Sequence, residues 1–333
     1  MTAPAFVPSG EGARRLAAPF RVLVLLNDRL TLRLGALYEA LREDFPGMDW
    51  PGSGPMDAST FDTAVASSIT IDCGAGAATG ALRAMRPPML DWADLMRRNR
   101  IPEGSAEAAL LARATTCIEV SVPSRGPALA DRLEAARRAT AVAAVFADLP
   151  IGVGAIELWS DRVLSPAQAR DVAESAAEDD VPLLDWTLPL LFHHGDAEDG
   201  LVSGTTVGLS AFFGYELETR RNPEPAGLAI ASLLTVAQDL VAGGTAVADG
   251  TEVRPFDAKG PAHLLRHVPQ GRLGNDTDRW CLVHPDSPLD HAALLGRPQS
   301  AAPRGHGAAR ALARLRGGLG ARWPWPTGTA DRA

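Results

Sequence analysis

Residues 118–159, IEVSVPSRGPALADRLEAARRATAVAAVFADLPIGVGAIELW, contain the clearest pattern in the chain. Ile118, Val120 and Val122 alternate with other residues at the spacing of a strand that has one buried face. The next segment predicts a helix whose apolar residues share one side: Leu129, Leu133, Ala136, Ala139, Ala143 and Phe146. An apolar run at 153–159 predicts a second strand. The order is therefore strand–helix–strand.

The same order is predicted nearer the N-terminus. Residues 21–26, RVLVLL, indicate a central strand, and Asn27 or Asp28 can cap the helix that follows. The apolar stripe of this helix consists of Leu30, Leu34, Leu37, Leu41 and Phe45. A further strand is predicted by the even spacing of Val65, Ile69, Ile71 and Cys73.

Further helices and strands are predicted in the second part of the chain. Ser165-Pro-Ala-Gln168 has the form of a capping box with an early proline, which predicts a helix start. The other expected elements are a helix over 165–178, paired strands at 188–194 and 205–213, a helix from Asn222 to Gly243 and a strand at 280–284.

These elements predict an α+β fold. Alternating strands favour helices packed on one face of mixed or antiparallel sheets over a doubly wound parallel sheet. We expect residues 21–290 to form one domain, with two ferredoxin-like halves at 21–160 and 161–290 as the finer alternative. Residues 1–20 are expected to be a flexible arm, and residues 291–333 a basic, disordered tail.

The charge distribution limits the classes of partner. The formal net charge is −8, and residues 296–333 alone contribute seven arginines against one aspartate. The remainder is acidic, so nucleic-acid binding is not expected, because phosphate contacts need a basic face. No long uninterrupted apolar stretch predicts a membrane span. The three cysteines form no CxxC pair, which favours buried free thiols and a cytoplasmic location.

Two groups of residues are candidates for chemistry. His193, His194 and Asp196 form the densest set of metal-ligand types, but adjacent histidines on a strand point to opposite faces. Solvated residues at a strand end are therefore the favoured interpretation. Glu216 and Glu218 lie two residues apart, so both carboxylates face the same side of a strand, either for acid–base chemistry or as a solvated face.

Other motifs carry less weight. Arg220 and Arg221 can pair with the two glutamates. The glycine-rich segment 73–80 lacks the helix and the acidic partner of a nucleotide loop, and no GK[ST] motif is present. Ser210 lacks the second glycine of a nucleophile elbow. No cofactor, no metal and no catalytic residue is therefore predicted.

The segment 206–218, TVGLSAFFGYELE, resembles the signature of the bacterial domain-of-unknown-function family 4261. The shared pattern is a glycine, a short apolar stretch, a second glycine and glutamates that alternate with an aliphatic residue. The resemblance extends over residues 20–285, with Tyr215 and a proline-rich insert near 87–104 as departures. It implies no catalytic residue, since none is established for the family.

Our leading interpretation is a non-enzymatic bacterial cytoplasmic protein that binds another protein, of the immunity- or secretion-associated type. The binding residues would be Glu216, Glu218, Arg220, His193 and His194. The alternative is a metal-assisted or acid–base hydrolase that uses His193, His194 and Asp196 together with Glu216 and Glu218.

Overall fold

The structure is a computed structural model of the full chain, and it describes residues 8, 10–52, 58–65, 67–74, 79–88, 90–178, 181–183, 185–193, 200–243, 248–256, 260–269 and 277–287. The helices in this part are α1 (Gly10–Ala17), α2 (Leu34–Asp44), α3 (Trp92–Arg98), α4 (Ala106–Leu111), α5 (Leu129–Ala147), α6 (Pro166–Ala177), α7 (Ser210–Phe213) and α8 (Ala226–Gly243). The strands of the first half are β1 (Phe20–Leu26), β2 (Thr31–Arg33), β3 (Thr60–Asp62), β4 (Ser68–Ile71), β5 (Gly80–Met85), β6 (Thr116–Val122), β7 (Gly152–Glu157) and β8 (Arg162–Leu164). Those of the second half are β9 (Leu188–His193), β10 (Val202–Val207), β11 (Tyr215–Asn222), β12 (Glu252–Val253), β13 (His263–Val268) and β14 (Asp278–Val283).

The first sheet has the order β4-β5-β6-β1-β7-β8, and all its neighbouring strands are antiparallel. The four inner strands of this sheet are β5-β6-β1-β7. In the chain, α2 follows β1, and α5 lies between β6 and β7. This is the strand order of a ferredoxin-like unit. The predicted α+β fold is confirmed, and in this half the ferredoxin-like detail is present as well.

Helices cover both faces of the first sheet, whereas the sequence predicted one covered face. Helices α2, α5 and α6 share a core with Val22, Val24 and Leu26 of β1. The short helices α3 and α4 pack on the opposite face through Leu95 and Leu111, against the neighbouring residues Leu23 and Leu25. Strand β1 is therefore apolar at consecutive positions because both of its faces are buried.

The second sheet is mixed and differs from the ferredoxin-like half that the sequence suggested. Its order is β12-β13-β14-β11-β10-β9, and its central strands β11 and β14 run parallel. Helix α8 follows β11 and packs on one face of this sheet, where Leu233, Val236 and Leu240 share a core with Leu217 and Trp280. By length and composition alone α8 is apolar enough to cross a membrane, a test that core helices also pass.

Two segments differ from the sequence predictions in their local structure. Part of the expected N-terminal arm forms helix α1, which contacts α7 so closely that a Cβ on Gly12 would lie 2.2 Å from the Gly214 carbonyl oxygen. The expected strand 205–213 ends at Val207 and continues as a turn and helix α7. Gly214 ends α7 in the left-handed region, at φ 77°, which glycine adopts without strain.

Helix α7 and the segment before β9 pack against the core of the first sheet. Trp186 and Phe212, from the second half, stack on each other and belong to the same core as β1 and α5. Buried Arg132 of α5 donates to the carbonyl oxygens of Arg15, Leu16, Ala18 and Ala211. One guanidinium thus joins α1, α5 and α7.

Candidate metal centre

Glu216 is a structural carboxylate. It lies on β11 and is 5% exposed, so the predicted solvated face is wrong at this position. Its Oε1 accepts hydrogen bonds from the backbone N–H groups of Gly208 and Ser210, both at 3.0 Å. Its Oε2 accepts from the Leu209 N–H at 3.1 Å and from the Thr206 hydroxyl at 2.7 Å. With four donors directed at it, this carboxylate is fully engaged in holding the turn before α7.

Glu218 lies on the same face of β11, as the two-residue spacing predicts, and is also buried. The Arg220 guanidinium donates to both of its oxygens, at 2.7 and 3.0 Å, which confirms the predicted pairing with Arg220. Arg279 Nη1 lies 3.5 Å from Glu218 Oε2 and donates to Thr205. This carboxylate is therefore neutralised by arginines instead of being held ready for a substrate.

The predicted histidine cluster is described only in part. His193 is the last residue of β9, and its backbone pairs with Val202 of β10. Its side chain, like His194 and Asp196, lies outside the described residues. The expectation that these residues bind a partner or a metal stays a prediction.

A different group of metal-ligand types meets at one edge of the second sheet. Glu224 follows the end of β11, His263 is the first residue of β13 and His284 directly follows β14. Strands β11 and β14 are parallel, and β13 is antiparallel to β14. The C-terminal ends of β11 and β14 and the N-terminal end of β13 therefore lie at the same edge of the sheet. The ligand atoms of the three residues all lie within 4.8 Å of one another.

The three side chains lie close together, but few of the atoms that face one another are hydrogen-bond donors. Glu224 Oε2 lies 3.8 Å from His263 Nε2, and Glu224 Oε1 lies 3.8 Å from His284 Nε2. The two imidazole rings meet edge to face, with centroids 4.9 Å apart and an interplanar angle of 80°. His263 is fully buried, and 11% of the Glu224 side chain is exposed.

Neighbouring groups fix the orientation of two members. His263 Nδ1 lies 3.1 Å from the Pro261 carbonyl oxygen, and because a carbonyl only accepts, Nδ1 carries the proton. Its Nε2 then carries a lone pair, and no hydrogen-bond partner for that atom is found among the described residues. Glu224 Oε2 is held at 3.3 Å by both Asn222 Nδ2 and the Ser232 hydroxyl. Such outer contacts are the usual support of metal ligands.

The electrostatics of His263 follow from its position. Burial lowers the pKa of His263, and the negative charge of Glu224 and the bond to Pro261 offset this only in part. A neutral His263 therefore directs its Nε2 lone pair towards a carboxylate oxygen, with acceptor facing acceptor. A cation between the two would relieve this contact.

No metal-ligand motif in the sequence indicates this cluster. Glu224, His263 and His284 lie 39 and 21 residues apart, and the chain contains no HxH or HExxH motif near them. The one local signal is proline: residues 223 and 225, 261 and 285 are prolines that flank the three ligands at strand ends. Only the pairing of β11, β13 and β14 brings the three together.

No protein-family model, curated protein or solved structure matches the chain. The resemblance to family 4261 therefore stays a prediction.

Proposed function

We propose that the protein binds a divalent transition-metal ion through Glu224, His263 and His284. One observation carries the proposal: His263 Nε2 is buried, has no hydrogen-bond partner among the described residues and lies 3.8 Å from Glu224 Oε2. A buried lone pair without a donor is unfavourable, and a cation bound there would satisfy it. A metal ion is such a cation, and it replaces the missing donor.

The donor set favours a particular class of metal. Two imidazoles and one carboxylate suit Zn²⁺, Fe²⁺, Mn²⁺ or Co²⁺, whereas Mg²⁺ and Ca²⁺ prefer oxygen ligands alone. Ligands lie about 2.0–2.2 Å from zinc, so neighbouring ligand atoms around a tetrahedral ion are about 3.3 Å apart. The 3.8 Å separations end on different oxygens of Glu224, and the three ligand atoms lie within 4.8 Å of one another, so binding would draw them together by up to about 1.5 Å through side-chain rotation.

Three protein ligands leave coordination positions for water or a substrate. A metal-bound water is a strong nucleophile at neutral pH, which makes metal-assisted hydrolysis the reaction class that this proposal favours. Such a hydrolase would not use Glu216 and Glu218 as catalytic residues, because the oxygens of both already accept internal hydrogen bonds.

The test is metal content and zinc affinity of the purified full chain. We expect about one zinc ion per chain after reconstitution, measured by elemental analysis, and saturable binding by calorimetry. His263→Ala and His284→Ala should abolish both. His267→Ala is the matched control, since His267 lies on the same strand and bonds Asp278 instead of the cluster.

Two outcomes would contradict the proposal. One is a wild-type chain that binds no zinc, cobalt, manganese or iron after removal of chelators. The other is stoichiometric zinc that is equally tight in His263→Ala, His284→Ala and His267→Ala, because the ion would then be held elsewhere.

Protein binding in the cytoplasm remains our second proposal. The acidic net charge of −8 supports a basic partner through complementary potentials. A pull-down of the tagged chain at low and high salt tests it. A specific partner that is retained at low salt and lost at high salt is expected, and salt-insensitive or absent capture would count against it.

A further inference from the structure

We propose that metal occupancy controls the turn formed by residues 285–287, because His284 must give up a hydrogen bond to bind the ion. This inference rests on the proposed metal site. The Asp286 N–H donates to His284 Nδ1 at 3.1 Å. A nitrogen that accepts a hydrogen bond carries a lone pair, so the proton of the neutral ring is on Nε2. That N–H faces Glu224 Oε1, 3.8 Å away.

Either ring nitrogen of His284 can ligate a metal, and coordination through either one breaks the hydrogen bond from the Asp286 N–H. If Nε2 binds the ion, its proton moves through water to Nδ1, which then carries a proton and no longer accepts from Asp286. If Nδ1 binds the ion, its lone pair is used for the metal. The ring remains neutral in both cases, and the Asp286 N–H loses its partner.

The other two ligands need no such change. His263 already has its proton on Nδ1, towards Pro261, with Nε2 available. Glu224 Oε2 is oriented by Asn222 and Ser232. Glu224 and His263 would therefore hold the ion without losing a hydrogen bond, whereas His284 would lose one.

The turn is placed to transmit this change. Asp286 is exposed, so its N–H can turn to water once it is released. The Ser287 N–H donates to the His284 carbonyl oxygen at 3.0 Å, and its hydroxyl approaches the carbonyl oxygens of Arg220 and Arg221 at 3.4 and 3.2 Å. The chain then continues into the arginine-rich residues 296–333.

The first test is amide hydrogen exchange of the isotope-labelled full chain, measured by NMR with and without one equivalent of zinc chloride. Exchange of the Asp286 amide should become about 5- to 10-fold faster with zinc, because one hydrogen bond is lost. The Ser287 amide is the internal control and should not change, since its acceptor is a backbone carbonyl. His263→Ala should show no zinc effect at either amide.

The second test removes the competing donor. Asp286→Pro has no N–H, so zinc should bind about 5- to 10-fold more tightly than to wild type. Asp286→Ala keeps the N–H and should bind as wild type does. Far-ultraviolet circular dichroism establishes that both variants fold.

The outcomes separate the two proposals. If zinc binds and His284→Ala abolishes binding, but Asp286 exchange is unchanged and Asp286→Pro binds like Asp286→Ala, the turn mechanism is overturned and the metal site stands. If the wild-type chain binds no metal, the proposed function fails first.

Discussion

Replacing Glu216 by glutamine tests whether this carboxylate is structural. Glutamine keeps one carbonyl oxygen, which can take the place of Oε1 and accept from Gly208 and Ser210. Its NH₂ group then lies where Oε2 lay, facing the Leu209 N–H donor to donor. The Thr206 hydroxyl can turn to the Leu217 carbonyl oxygen, 3.3 Å away.

The cost follows from these contacts. One buried N–H without a partner costs about 1–3 kcal/mol, and the remaining bonds each lose part of their charge-assisted strength. We expect Glu216→Gln to lower the free energy of unfolding by about 3 kcal/mol. Urea denaturation followed by circular dichroism measures it.

The control variant is Glu252→Gln, because Glu252 is exposed on β12 and pairs with exposed Arg254. Exposed pairs contribute little, so this change should stay within about half a kcal/mol. A loss below about 1 kcal/mol for Glu216→Gln would refute the reasoning, since the four bonds would then not be holding the turn.

Three further predictions follow from other buried groups. Arg132→Met should destabilise the protein by about 3 kcal/mol and speed amide exchange in α1, because four carbonyl oxygens lose their donor. Equal exchange rates in the wild type and the variant would contradict this prediction. Burial raises the pKa of Glu157 from 4.5 to about 8, so stability should fall as pH rises through this window. Urea unfolding should show a loss of roughly 3 kcal/mol between about pH 5 and pH 8, and Glu157→Gln should remove this slope. Cys73, Cys117 and Cys281 are buried, and burial raises the pKa of Cys73 to about 11 and of Cys117 to about 12, so a thiol reagent should modify them in denaturant only.

The sequence predicted individual elements well where their signals are local. The periodicity of α5 and the capping box at Ser165 both appear in the structure, the latter with both hydrogen bonds formed. The sequence did not predict the parallel pairing of β11 and β14, since strand direction depends on the path of the chain between them. It also placed Ser210 in a strand, because the turn before α7 depends on hydrogen bonds to Glu216, which follows later in the chain.

The same reasoning separates Glu216 and Glu218, which the sequence indicated, from Glu224. Spacing shows that Glu216 and Glu218 share a face, but it does not show which donors surround each carboxylate. Glu216 meets three N–H groups and a hydroxyl, so its charge is satisfied within the fold. Glu224 directs Oε2 towards the lone pair of His263, with weaker support from Asn222 and Ser232. A buried carboxylate surrounded by donors stabilises the fold, whereas a partly buried one beside the lone pair of a buried histidine can share a cation with it. By that criterion Glu224 is the carboxylate of this protein to which a ligand should be assigned.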